Sequence, residues 1–324
     1  MKRILKLFDY IFVLRPTLFF PVWTVFLAGF YTESKVDAAV VADAAATNGH
    51  LSPQPDFIWV GTFLTLLMGA VFILNQIMDR HTDDKNRKLF LIAQGHLTPK
   101  AAFIESVILI AAALGFAFVF SVQMGTLFLA ILLLTGYLYS FSPFSFKDRP
   151  LLGLLANALG ALLIFAAGWL VYGRPAETVL LHSVPYVCAV ASVYLCTTLL
   201  DVQGDAASQK ITFGVKYGMK TTIYVALLLE TISMVSAYFL NDEIIFYPAF
   251  FSFPFFVWAG FRLRLKDVMR AIKYPILLLA FTVGIKWSLI YGRYDFFLLL
   301  LGVYAASKLY YKLRFGINYP NLST

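Results

Sequence analysis

The chain has 324 residues, of which 60% are hydrophobic and only 14% charged, against roughly one quarter charged in a water-soluble domain. That deficit excludes a solvated globular surface and points to lipid as the solvent. The net charge of +8 does not mark a nucleic-acid binder, because Lys and Arg fall in the short gaps between apolar stretches, where membrane topology requires them.

Ten apolar segments follow in chain order: 10–31, 57–79, 101–121, 124–142, 151–172, 179–201, 220–240, 245–262, 272–292 and 295–311. Each is close to the ~17–25 residues that carry a helix across the hydrocarbon core, and the short alternating strands of a membrane barrel are absent. The first segment carries Arg15-Pro16 and no small-residue cleavage site, so it reads as helix one rather than as a leader. Residues 32–56 form the only long polar connection, and no linker divides 1–324. Cys188 and Cys196 share one segment about two turns apart, too far for a disulfide. The expected fold is an all-α polytopic transmembrane helical bundle forming a single domain. It has nine core helices, with either an added tenth at the C-terminus or one spanning helix across 272–311.

With the N-terminus on the cytoplasmic side, 21 Lys and Arg residues fall in inside connections, and only Lys35, Arg174 and Arg293 fall outside. Positive charge concentrates on the cytoplasmic side of membrane proteins, so the N-terminus and the loops after segments two, four and six are expected there.

Two of those inside ends carry clustered carboxylates. Segment two closes with Asn75, Asp79 and Asp83 at i, i+4 and i+8, and segment six with Asp201 and Asp205 at i and i+4. Residues four apart stack on one helix face, where like charges repel, and the membrane edge raises that cost. A divalent cation removes it. Mg²⁺ binds through one or two carboxylates and completes its shell with water and phosphate oxygens, so paired clusters suit a diphosphate. Asn75 adds a neutral oxygen or an amide donor. Lys85, Arg87 and Lys88 follow the first cluster, Lys210 follows the second, and Lys147 and Arg149 lie between segments four and five. Cations in these places suit phosphate oxygens and a departing diphosphate. His81 and His96 have no partner at zinc spacing, and the EF-hand pattern is not matched. Asn157, inside segment five, is expected either to orient a substrate or to bond a neighbouring helix. Glu230 and Lys286 lie near mid-membrane and are expected either to pair with each other or to serve the function, whereas Glu105 sits near an interface.

These motifs resemble those of the UbiA superfamily of intramembrane prenyltransferases. The first signature, Asn-x-x-x-Asp-x-x-x-Asp, is matched by Asn75, Asp79 and Asp83, and the second, Asp-x-x-x-Asp, by Asp201 and Asp205. Tyr139-Ser140 with Pro143 and Lys147, the pair Asn86-Arg87, and Lys210 with Thr212 are also similar to family text. The resemblance implies nine helices around a cavity. It implies Mg²⁺-dependent prenyl transfer from an isoprenoid diphosphate to a small aromatic, quinone-precursor or lipid acceptor, beside membrane lipids. It further implies Tyr139 at the substrate and Arg15 facing an acidic acceptor. The sequence departs from the pattern at Gln76, where many members have Asp, at Thr197 and Thr198, near which some have Lys, and at Ala206, where Arg is frequent. A terpene cyclase using the same metal site, and a transporter, are the alternative functions.

Overall fold

The computed structural model describes residues 2–36, 55–85, 90–172 and 178–319. Its elements are α1 (Lys2–Phe12), a 3-10 turn (Pro16–Leu18), α2 (Phe19–Val36), α3 (Pro55–Lys85), α4 (Phe90–Ala93), α5 (Pro99–Phe120) and α6 (Val122–Ile131), which winds on as a π-helix (Leu132–Leu138). After a 3-10 turn (Phe146–Asp148) come α7 (Pro150–Trp169), α8 (Val179–Leu200), α9 (Val202–Ala207), α10 (Phe213–Phe239), α11 (Glu243–Arg262), α12 (Leu265–Tyr291) and α13 (Asp295–Phe315). The described residues hold no strand, as an all-α membrane fold demands. Nine helical stretches among them are long and apolar enough to cross a membrane, and the shorter Val122–Leu138 makes the tenth. Every expected segment is therefore a helix, and the chain is a multi-pass integral membrane protein.

The C-terminal stretch forms two helices. Gly292 adopts a left-handed conformation (φ 62) and its N–H donates to Ser288 O, which closes α12 before α13 begins, the usual use of glycine past a helix end. Two starts differ from the sequence expectation. α12 begins at Leu265 rather than 272, because its charged first turns are helical: Arg270 Nη1 donates to the buried Asp267 at 2.8 Å. α10 begins at Phe213 but breaks at Gly218 (φ 74, ψ 172), close to the expected start at 220.

The chain divides into two compact units, with two of the four boundaries inside α2 and α3. The first comprises Met1–Phe20, Thr62–Phe144 and Asp295–Thr324. Its core packs Phe12 and Val13 with Ile73, Leu91, Ile92, Leu97, Tyr310 and Tyr311, and the Phe12 and Tyr310 rings stack at 3.9 Å. Asp9, 2% exposed, binds α13 to α1: Tyr310 Oη donates to it at 2.6 Å, and Arg314 donates through Nε and Nη2, both at 3.1 Å. Removing one partner leaves a buried carboxylate underpaired, and hydrogen bonds to charged groups are worth about 1.5–3 kcal/mol. Arg314→Met is therefore expected to cost about 2 kcal/mol, read as a lower Tm in detergent, with Lys312→Met as the neutral control.

The second unit comprises Pro21–Gly61 and Ser145–Tyr294. Leu195, Cys196, Leu199, Ile223, Phe256 and Val268 centre its core. Asp242, also buried, caps α11 through Ile244 N and accepts from Tyr186 Oη (2.8 Å) and Thr32 Oγ1 (3.3 Å). The expected partnership of Glu230 with Lys286 does not form. Glu230 Oε1 instead accepts from Ser252 Oγ of the adjacent α11 at 2.8 Å, while its Oε2 is buried with no hydrogen bond among the described residues.

Candidate donor site

The first motif stands on an uninterrupted stretch of α3, so Asn75, Asp79 and Asp83 climb one side of a single helix about 6 Å apart. Asn75 and Asp79 are half-buried, while Asp83 is buried. Asn75 Nδ2 donates to Ser140 Oγ at 3.4 Å, which joins this motif to the connection after the π-helix. Half-buried Tyr139 adjoins that serine. Ser140 was legible only as part of the Tyr-Ser-Pro stretch, and the contact spans 65 positions in the chain.

Arg15 belongs to the same unit. Pro16 supplies no N–H and disfavours the α conformation in the residue before it. Arg15 does not take the extended backbone that usually precedes proline but turns left-handed (φ 56, ψ 62). Its Nε is buried with no hydrogen-bond partner among the described residues.

The second motif lies in the other unit. Asp201 ends α8, and Asp205 stands in the short α9, where its N–H donates to Asp201 O at 2.8 Å. The chain then turns so that Lys210 N donates to Asp205 O at 2.9 Å and Ile211 N to Asp148 O at 3.2 Å. Lys210 Nζ lies 3.6 Å from Asp148 Oδ1, and Lys147 beside it is buried. The α8–α9 end and the 146–148 turn therefore meet, bringing Asp201, Asp205, Lys210 and Asp148 into one electrostatic group. Asp148 went unnoticed in the sequence. The adjacent Lys147 and Arg149 gave it the look of a topology loop, and only the fold pairs it with Lys210.

Two of the three departures in the second unit have structural partners. Thr198 Oγ1 donates to Leu195 O (2.7 Å) and accepts from Gly214 N (3.1 Å), which ties the start of α10 to α8. Thr197 donates to Tyr194 O at 2.7 Å. Ala206 is exposed. Asn157 Nδ2 donates to Gly153 O of its own helix at 2.9 Å. Arg87 lies outside the described residues.

Burial pushes the Asp205 carboxyl above the ordinary carboxylate range, and neighbouring Asp201 adds to the rise; Lys210 and Thr212 oppose it, and Asp148 adds a little. A carboxylate destabilised by burial and a like charge is one that a divalent cation relieves. Among the described residues no three acidic, His or Cys side chains gather closely enough to hold an ion alone. Mg²⁺ needs only one or two carboxylates when phosphate and water complete its shell. The sign for pH follows. With its pKa raised in the folded protein, Asp205 favours folding of the metal-free chain below its unfolded value, and that contribution disappears as pH rises through the folded one. A divalent cation needs the anion, so Mg²⁺ affinity should fall on acidification, beginning at a higher pH than an ordinary aspartate would impose. The Mg²⁺ concentration for half-maximal rate, measured from pH 8 to pH 5, checks this, and Asp148→Asn should move the onset to lower pH.

Comparison with known proteins places this arrangement. Residues 38–273 match the UbiA prenyltransferase family. A digeranylgeranylglyceryl phosphate synthase of Methanospirillum hungatei is 26% identical over 216 residues, 64% of this chain and 72% of that protein. A UbiA homologue from Archaeoglobus fulgidus, solved bound to DMAPP and Mg²⁺, is 17% identical with a TM-score of 0.61 over 86% of this chain and 99% of that one. A structure concerned with digeranylgeranylglyceryl phosphate synthase in membranes gives 16% identity and a TM-score of 0.60 over 86% and 98%. Both solved structures share the fold, and the family match takes in both aspartate motifs and most of the chain: the chain belongs to the UbiA prenyltransferase family and is a membrane-embedded prenyltransferase.

Proposed function

We propose that the enzyme uses Mg²⁺ to transfer a prenyl group from an isoprenoid diphosphate to a lipid acceptor with an anionic polar head, releasing diphosphate. The observation that carries this reading is the pair of carboxylate motifs on α3 and at the α8–α9 end, both inside the matched region 38–273. The family match runs through both compact units, which supports treating 1–324 as one domain. The charge asymmetry of the loops supports a cytoplasmic N-terminus, with both motifs on that side.

Asp79, Asp83, Asp201 and Asp205 would hold the metal, with Asn75 as a neutral ligand or amide donor. When bound, Mg²⁺ neutralises the diphosphate and so weakens the allylic C–O bond. Lys210, Lys147 and Arg87 neutralise the same oxygens by charge-assisted hydrogen bonds. The C–O bond breaks with its electron pair leaving on diphosphate, the acceptor oxygen or carbon forms the new bond to the prenyl carbon, and the acceptor loses a proton. Tyr139 and Asn157 are assigned to the substrate, the Tyr139 ring as a π face for allylic positive charge. Arg15 holds the acceptor's anionic head.

The acceptor class rests on the Methanospirillum hungatei relative, whose name specifies a glyceryl phosphate product, and on the buried unpaired Nε of Arg15. Membranes containing the enzyme, given Mg²⁺ and labelled prenyl diphosphates of several lengths, separate the possibilities by product mass. Geranylgeranylglyceryl phosphate should gain one prenyl unit. Label on 4-hydroxybenzoate, with none on the glyceryl phosphate, would move the acceptor to the aromatic class.

A further inference from the structure

The first span is broken where it passes α3. In a continuous helix Val13 O would accept from the N–H of Thr17, but the Arg15-Pro16 turn ends the ladder with Arg15 N on Phe12 O (3.1 Å) and Leu18 N on Arg15 O (2.8 Å). Val13 is fully buried, and an unpaired carbonyl there is costly. Gln76 supplies the missing donor. Its Nε2 lies 2.7 Å from Val13 O and 3.0 Å from Phe72 O, and the residue is 2% exposed. Gly69, seven residues earlier and so on the same side of α3, admits the break from below: a Cβ there would come within 2.8 Å of Leu14 Cδ2. The left-handed Arg15 is itself a strained non-glycine residue, a state that persists only where its surroundings hold it.

We infer that Gln76 is a positioning residue, which fastens the break in the first span to the metal-motif helix and so fixes Arg15 toward the acceptor. The site thereby gains a mechanical link. The residue next to Asn75 on the donor helix holds the backbone from which the acceptor's anchor projects. At a position where a carboxylate would enlarge the metal site, this chain carries an amide whose donors go to carbonyls. The inference rests on the assignment of Arg15 to the acceptor head.

The test uses the full chain in membranes, with geranylgeranylglyceryl phosphate as acceptor probe and hydrogen exchange across residues 10–20 as an independent readout. Gln76→Leu should raise the acceptor KM roughly tenfold, the scale of one buried hydrogen bond. Donor KM and the Mg²⁺ midpoint should stay within about twofold, and exchange at residues 10–20 should accelerate. Gln76→Met, which keeps the length and cannot donate, should behave alike and stands in if the leucine variant does not fold. Arg15→Gln should raise the acceptor KM without changing exchange. A shifted Mg²⁺ midpoint in either Gln76 variant would put Gln76 in the donor site and overturn the inference, as would unchanged exchange. An acceptor KM raised by Arg15→Gln but not by the Gln76 variants overturns the inference alone. An acceptor KM unmoved in all the variants overturns the Arg15 assignment as well.

Discussion

Replacing Asp79 or Asp201 by alanine is expected to lower diphosphate release on the order of a thousandfold while leaving the protein folded. In the proposed site each substitution would remove one oxygen ligand from a group that stabilises charge on the departing diphosphate, and losing a single such contact costs about 10²–10³ in rate. Both residues are half-buried rather than locked in a core, so the loss should appear in activity and not in the melt. Groups that act as one unit are not additive. The double variant should therefore be little worse than either single one, whereas independent sites would multiply. Asp83→Ala should be as inactive.

The second large effect is structural. Within the second unit α2 and α7 approach so closely that Gly29 lies against the Phe165 carbonyl and Gly168 against the Phe26 carbonyl. The pair is reciprocal, and the atoms a Cβ would strike are backbone, which cannot rotate aside as a side chain would. Small residues at helix contacts are how membrane helices gain packing without a hydrophobic driving force. Gly168→Val should cost about 3 kcal/mol or more by overpacking, seen as loss of monodisperse protein in detergent and a Tm drop far beyond that of Arg314→Met. Gly302→Val provides the contrast, since nothing lies within 4 Å of its Cβ position, and it should be almost silent.

Hydropathy made the helix count legible because each span is apolar nearly all round, as a lipid-facing helix must be. It failed where polarity and helix coincide. The first turns of α12 carry Lys266, Asp267 and Arg270 and look like loop, yet they are helical because Asp267 is buried and paired. The Arg15-Pro16 break was visible as a dipeptide, but its geometry was not, because the partner of Val13 lies 63 positions away. The donor site followed the same division. Four-residue spacing on a helix announces stacked side chains, so the placing of Asn75, Asp79 and Asp83 along one side of α3 could be read directly, whereas Asp201 stands at a break between α8 and α9 that spacing alone does not show. Asp148, Ser140 and the true partners of Thr198 and Gln76 depend on contacts between distant segments, which periodicity does not encode. Gln76 is the instructive case. In sequence it is a departure from a metal motif, whereas in the fold it is a donor to an interrupted helix.

The central claim is Mg²⁺-dependent prenyl transfer through both aspartate motifs, and one measurement bears on it most directly. Purified enzyme in lipid vesicles is given labelled geranylgeranyl diphosphate and geranylgeranylglyceryl phosphate, with and without Mg²⁺, and diphosphate and labelled lipid are counted together. The account predicts one prenylated lipid formed per diphosphate released, only with Mg²⁺ present, and neither product from Asp79→Ala or Asp201→Ala. Diphosphate release that persists in those variants, or a cyclic hydrocarbon formed without acceptor, would contradict it.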